Sequence, residues 1–275
     1  MNNILVRSLS GGVYVALLIL AVLFYNQLAF IVFGIILGIG LFEYQKLAAE
    51  LGYVLHPKMY IGLGLLAYFL FGYAAMNYGS ILLWGTLPLL FLGIMIQALF
   101  SEEKNSLLSA LIGISGYIWI LLPLVLIHFL YSANQKGEIL DYWPVLGMMI
   151  LTWTSDTFAY LTGRFIGKTK LFERISPKKT WEGVAGGVVF SLVASYIIFL
   201  VDDNREWYFW IVLGLIVPLF GVLGDLFESL IKRTAGVKDS GDLIPGHGGI
   251  LDRIDAMLFT IPATFSWIFI YGLIR

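Results

Sequence analysis

Cysteine is absent from this chain, and charge is scarce: Asp, Glu, Lys and Arg make up 13% of its 275 residues, with only three histidines. Without cysteine there is no disulfide, no iron–sulfur cluster and no thiolate metal site, although the absence does not identify a compartment. A soluble globular domain carries about 25% charged residues. A chain with half that share and 59% hydrophobic residues lacks the polar surface that would keep it in water, whereas lipid supplies an apolar solvent.

A bilayer core about 30 Å thick needs about 20 apolar helical residues. Nine stretches meet that need, at about 8–25, 28–45, 59–76, 80–99, 107–131, 142–163, 183–201, 206–228 and 255–274. The expected fold is therefore all-α, a polytopic integral membrane protein with about nine transmembrane helices. Asn26 and Gln27 alone separate the first two stretches, which predicts a tight helical hairpin. Pro88, Pro123, Pro144, Pro218 and Pro262 fall inside spans or near their ends, where neighbouring helices can satisfy the freed carbonyls. The apolar run after Arg7 has no small-residue cleavage site and no polar mature segment behind it, so it reads as a retained helix, not a signal peptide. With no internal repeat, low-complexity tract or long linker, residues 1–275 read as a single membrane domain.

The net charge of -1 says little; its distribution says more. With nine spans and the N-terminus inside, one side of the membrane receives Arg7, Lys46, Lys58, Lys104, Arg164, Lys168, Lys170, Arg174, Lys178, Lys179, Lys232, Arg233, Lys238 and Arg253. The other receives Lys136, Arg205 and Arg275. Fourteen cations against three is the asymmetry of a cytoplasmic N-terminus and an external C-terminus, and an error of one span would scramble it. Two cytoplasmic segments, 164–182 and 232–255, hold 16 of the 35 charged residues. Solvation alone does not account for that concentration, because the outer loops are nearly bare.

The second segment begins Ser229-Leu-Ile-Lys232-Arg233 and, after four residues, continues Lys238-Asp239-Ser240-Gly241-Asp242. It ends Pro245-Gly246-His247-Gly248-Gly249-Ile-Leu-Asp252-Arg253-Ile-Asp255. Lys232, Arg233, Lys238 and Arg253 are donors suited to phosphate oxygens. Gly246, Gly248 and Gly249 let backbone approach a ligand. Asp252 and Asp255, at i and i+3, share a helix face at the start of the last span. Carboxylates beside a cationic, glycine-rich loop suit a nucleoside triphosphate with Mg²⁺.

Asp225 lies near the cytoplasmic end of span eight, one turn before Ser229, and Asp156 lies within span six. An ionised Asp at the bilayer centre costs about 2.5–3.5 kcal/mol on insertion scales, so each should face a wet cavity or a partner. In the first segment, Gly163 to Lys168 lacks both the full GxxxxGK[ST] order and a preceding strand, which excludes a P-loop. Lys178, Lys179 and Thr180 instead precede span seven, where a helix N-terminus adds anion-binding amides; the competing reading is positive charge that sets topology and attracts anionic lipid. His128 within span five reads as packing and His56 beside Pro57 as loop chemistry, whereas His247 between glycines reads as functional.

Residues 229–255 resemble the phosphatidate cytidylyltransferase family, the CDP-diacylglycerol synthases. The pattern Ser229-x-apolar-Lys232-Arg233, four residues, Lys238-Asp239, then His247-Gly248-Gly249-apolar-x-Asp252-Arg253-apolar-Asp255 runs without a gap. The run Ser176–Gly183 also resembles a family motif, and the multispan architecture is similar along essentially the whole chain. The resemblance implies transfer of a cytidylyl group from CTP to phosphatidic acid, giving CDP-diacylglycerol and pyrophosphate at the cytoplasmic face of a bacterial inner membrane. It implies metal ligands Asp225 and Asp252, with Asp156 and Asp255 nearby, for Mg²⁺ and a second cation that is K⁺ in at least some members. Lys232, Arg233, Lys238, Asp239, His247 and Arg253 would join Asp225 and Asp252 in catalysis. Ser176, Lys178, Lys179, Thr180, Ser229, Gly248 and Gly249 would bind substrate, with the cations undivided between triphosphate and lipid phosphate. A homodimer in contact with membrane lipid is implied, and no nucleic-acid partner.

Two other functions fit parts of the pattern. A CTP-dependent enzyme acting on another lipid phosphate or a polyprenol would share the headgroup motifs. A transporter could use Asp156 and Asp225 as coupling carboxylates, but the repeated halves common in transporters are not evident. The Asp-Gly…Ala-Arg…Gly…Asp…Asp order of CDP-alcohol phosphotransferases is missing.

Overall fold

The long apolar runs of the sequence form helices throughout a computed structural model that describes residues 3–24, 28–76, 87–131, 141–241, 243 and 248–274. The helices are α1 (Asn3–Leu23), α2 (Phe30–Glu50), α3 (Pro57–Met76), α4 (Leu87–Leu99), α5 (Ser106–Gly116), α6 (Leu122–Leu130), α7 (Trp143–Ile166), α8 (Trp181–Phe199), α9 (Trp207–Thr234) and α10 (Leu251–Ile274). One turn of π-helix, Tyr117–Leu121, joins α5 to α6. Its cause is local: the ring of Pro123 crowds the carbonyl four residues back and offers no N–H to the ladder. Among the described residues the fold is all-α apart from one antiparallel hairpin, β1 (Lys170–Phe172) with β2 (Ser176–Thr180).

Each of the nine expected stretches contains helix in its described part. Among the described residues, five helical segments are long and apolar enough to cross a membrane: Phe30–Glu50, Ser106–Leu130, Trp181–Phe199, Trp207–Thr234 and Leu251–Ile274, with Gly11–Leu23 a shorter apolar helix. Large hydrophobic side chains lie exposed in rows, as at Val189, Val193, Ile197 and Val201, each more than half exposed. A surface of that kind needs lipid, so the chain is an integral membrane protein. The hairpin expected at Asn26 and Gln27 lies outside the described residues, as do Lys136 and Arg275.

The chain divides into two compact units, Met1–Phe129 with Ile231–Arg253, and Leu130–Leu230 with Ile254–Arg275. In the first, α2 packs on α5 through an aromatic hydroxyl that finds partners. Tyr44 donates to the carbonyl of Ile112 at 3.0 Å and pairs with Ser115 Oγ at 2.7 Å. The rings of Tyr60 and Tyr117 stack with centroids 4.7 Å apart. His128 is 1% exposed, 2.7 Å from the hydroxyl of Tyr68, and edge-on to Phe30, the packing role expected of it.

In the second unit α7 and α8 lie close because Gly186 and Gly187 face Thr162 and Ser155. Phe158 and Phe190 stack across the same seam at 3.7 Å. Thr180 caps α8, its Oγ1 accepting the amide of Gly183 at 3.2 Å. Glu182, in the first turn of α8, accepts the amides of Lys168 and Thr169 at 3.1 Å and so ties the hairpin to the helix. Arg205 clasps Asp141 at 2.5 Å and Asp202 at 3.0 Å, and Trp210 Nε1 donates to Asp202 at 2.9 Å.

Candidate active site

Both polar segments begin and end at helix termini, and this positions their side chains. α9 runs to Thr234, past the expected end near 228, and α10 starts at Leu251, four residues before the expected 255. Hydropathy falls where charges begin, but a helix continues through charges that suit its dipole: Lys232 and Arg233 in the last turn of α9, Asp252 in the first turn of α10. Gly236, at φ 73°, closes α9. Its amide donates to the carbonyl of Arg233 at 3.2 Å and that of Val237 to Lys232 at 2.9 Å, a Schellman turn that sends the chain into the loop. Arg233 donates to the carbonyl of Val237 at 3.0 Å.

Within the first unit, Asp252 is the centre of a converging set. Its Oδ1 lies 2.5 Å from Lys232 Nζ. Its Oδ2 accepts the amides of Gly249 at 2.8 Å and Ser240 at 3.1 Å, and Ser240 Oγ lies 3.0 Å away. The side chains of Lys232 and Asp252 are 10% and 7% exposed. Beneath them is Glu43 of α2, 3% exposed, whose Oε1 accepts the amide of Ile250 and whose Oε2 accepts that of Leu251, both at 2.9 Å. Ser240 Oγ lies 3.0 Å from Glu43 Oε2 as well, so one hydroxyl hydrogen serves two carboxylates. A Cβ on Gly249 would lie 2.5 Å from Glu43 Oε2, so glycine is what lets that carboxylate in. Gly248, at φ 83°, turns the chain beside Asp252 Oδ2. Lys238, Asp239 and Arg253 are exposed. His247 and Gly246 lie outside the described residues.

Within the second unit the set is built on Asp225. Lys179 Nζ of β2 lies 2.6 Å from its Oδ2, and Ser229 Oγ, one turn along α9, donates to its Oδ1 at 3.2 Å. Asp156 of α7 interacts electrostatically with both Lys179 and Asp225. Neighbours on a strand point to opposite faces, so Lys179 turns to the carboxylates while Lys178 stays exposed. Ser176 is half-buried at the start of β2. The hydroxyl of Thr180 is used in capping α8 and is 6% exposed. Asp255 accepts the amide of Ala256 at 2.8 Å, and its backbone packs on Gly224, next to Asp225.

Glu43 and Ser240 did not stand out as site residues in the sequence. The signal for Glu43 was a carboxylate inside an apolar run, which in a membrane helix marks a site by default. Ser240 lies inside the recognised motif but carried no chemistry of its own until its position was seen.

The pattern of the Cytidylyltransferase family matches residues 5–271, and the chain belongs to that family. It is 48% identical over 139 residues to the phosphatidate cytidylyltransferase of Staphylococcus aureus, covering 50% of this chain and 52% of that one. The phosphatidate cytidylyltransferase of Staphylococcus saprophyticus is 44% identical over 137 residues, with the same coverage. That of Haemophilus influenzae is 39% identical over 198 residues, covering 69% of this chain and 66% of that one. The chain thus spans about half the length of the staphylococcal relatives it matches.

Proposed function

We propose that this protein is a phosphatidate cytidylyltransferase, joining CTP and phosphatidic acid to CDP-diacylglycerol with release of pyrophosphate. The single observation that carries the reading is the pairing of a carboxylate with an ammonium in both polar sets, Lys179 with Asp225 and Lys232 with Asp252. A substrate that brings phosphates and a hard cation can engage both halves of such a pair. The names of the relatives, at 39–48% identity, support the same chemistry.

In the reaction a phosphatidate oxygen forms a bond to the α-phosphorus of CTP, and the bond from that phosphorus to the bridging oxygen breaks. The electron pair leaves with pyrophosphate. The attacking oxygen is already ionised at neutral pH, so no general base is required. Both reactants are anions, and their approach is repulsive unless the chain neutralises and orients them. That work is assigned to Lys178, Lys179, Lys232, Arg233, Lys238 and Arg253 on phosphate oxygens, with Ser176, Ser229 and the amides near Gly248 and Gly249 as neutral donors. Asp239 and His247 complete the assigned set.

Asp225 and Asp252 are each assigned to cation binding on their own surroundings, with Asp156 and Asp255 as neighbours. The fit to Mg²⁺ is chemical: each carboxylate already holds a cationic group, at 2.6 and 2.5 Å. Among the described residues no three His, Asp or Glu gather as a ready-made metal set. Mg²⁺ suits such a site, because it takes one or two carboxylates and completes its shell with water and substrate phosphates. When bound it supplies charge neutralisation across the triphosphate. A second cation such as K⁺ belongs to the same reading.

The proposal extends to nine spans, a cytoplasm-facing site in a bacterial inner membrane and a homodimer; the charge asymmetry supports the first two. The test is purified protein in detergent with labelled CTP, phosphatidate and Mg²⁺. CDP-diacylglycerol should form with equimolar pyrophosphate. CTP consumption only with another lipid phosphate or a polyprenol would move the acceptor, and none with any acceptor would overturn the reading.

A further inference from the structure

A carboxylate in an apolar helix, far in sequence from the charged segments, needs a reason to be there. Glu43 lies in α2, one of the helices long and apolar enough to cross a membrane. Burying a charge in such a place is costly unless it is fully hydrogen-bonded. Its two oxygens meet three donors: the amides of Ile250 and Leu251 and the hydroxyl of Ser240. The two amides are the free N–H groups at the start of α10, so Glu43 caps that helix from another element of the chain. Gly40, one turn before Glu43, lets α2 approach: a Cβ there would meet the side chains of Leu251 and Ile120 at 3.3 and 3.4 Å. Gly241 and Gly249 leave room for the carboxylate itself, since a Cβ on either would lie within 2.8 Å of it.

We infer, resting on the cytidylyl-transfer reading, that Glu43 is a positioning residue for the reaction, acting through Ser240 and the first turn of α10 to hold Asp252. Three of the contacts that fix Asp252 Oδ2 come from groups Glu43 organises or adjoins: Ser240 N, Ser240 Oγ and Gly249 N. Glu43 grips the residues on either side of these, Ser240 by its hydroxyl and the helix start by the next two amides. Asp252 therefore needs no rearrangement of backbone to present Oδ1, the oxygen now on Lys232, to substrate or cation. Preorganisation of this kind acts on the rate, because a small misplacement of a reacting group costs a large factor.

Glu43→Gln keeps length and shape but replaces one acceptor by an NH₂ group facing an amide donor. Glu43→Asp keeps the charge but falls short by one methylene. Ser240→Ala removes only the bridging hydroxyl and leaves Glu43 and both helix amides in place. In purified protein, Glu43→Gln should lower kcat about 10- to 100-fold and raise the Mg²⁺ concentration for half-maximal rate, with KM for phosphatidate little changed. Ser240→Ala should move the same two quantities in the same direction by a smaller factor, and Glu43→Asp should not restore them. Hydrogen exchange of residues 248–256, measured on metal-free and substrate-free protein, should accelerate in Glu43→Gln and Ser240→Ala. Unchanged kcat per folded molecule and unchanged Mg²⁺ dependence, whatever the melting temperature and the exchange, would make Glu43 a structural cap only and overturn the inference. If Glu43→Gln does not fold, the same quantities in Ser240→Ala decide. A wild-type control that forms no CDP-lipid would instead overturn the parent reading, and the exchange result would then describe a cap without a reaction to serve.

Discussion

Replacing Lys179 by alanine separates two roles whose magnitudes differ. Its ammonium lies 2.6 Å from Asp225 Oδ2, with side chains 24% and 39% exposed. A pair so open to solvent is screened and contributes about 0–1 kcal/mol to stability. If that pairing is all Lys179 does, Lys179→Ala should lower the unfolding free energy by about 1 kcal/mol or less and leave turnover alone. A charge-assisted hydrogen bond to phosphate contributes about 1.5–3 kcal/mol, which at 1.4 kcal/mol per decade is about a 10- to 100-fold loss. Under the proposed function the second magnitude applies: kcat/KM for CTP or for phosphatidate should fall by that factor while the melting curve barely moves. Lys179→Arg, which keeps a cation on the strand, should recover part of the loss. The assay is CDP-diacylglycerol formation from labelled CTP, each substrate varied at saturating Mg²⁺, beside thermal melts in the same detergent. Wild-type kinetics for both substrates would refute the reasoning and leave Lys179 a plain ion pair with Asp225.

Asp225→Asn preserves an acceptor for Ser229 Oγ but removes the charge a hard cation needs, so turnover should be abolished in a protein that still melts cooperatively. Near-normal rates at ordinary Mg²⁺ would remove Asp225 from cation binding. Arg205→Ala tests stability alone: it leaves Asp141 and Asp202, 7% and 0% exposed, without their shared cation. Stability should fall by about 3–5 kcal/mol with activity per folded molecule retained, read from melts and rates on the same sample. Single cysteines at Lys170 and Lys238 test topology, and the native absence of cysteine makes the background clean. Both should be shielded from an impermeant thiol reagent in intact cells, and labelling of both from outside would overturn the cytoplasmic assignment.

The helices were legible in the sequence because each is written locally, in a run of apolar residues of membrane length. The dipeptide Lys232-Arg233 and the motif through Asp252 were legible too, since the family pattern is carried by residue types at fixed spacing. Helix ends were not: α9 outran its hydropathy by more than a turn and α10 began early, because charges that complement a helix dipole extend the helix even as they end the apolar run. The hairpin at 170–180 was invisible for another reason, as two short strands amid cations have no apolar alternation to announce them. Lys179 and Asp225 were named separately, but only folding put the strand's ammonium 2.6 Å from the helix's carboxylate. Glu43 shows the limit most plainly. By itself the sequence determined the membrane class, the family motif and the gathering of cationic and acidic groups in two segments. Only the tertiary structure decided that a carboxylate 209 residues before Asp252 caps the helix on which Asp252 stands, because a hydrogen bond depends on distance in space and the sequence records only distance along the chain.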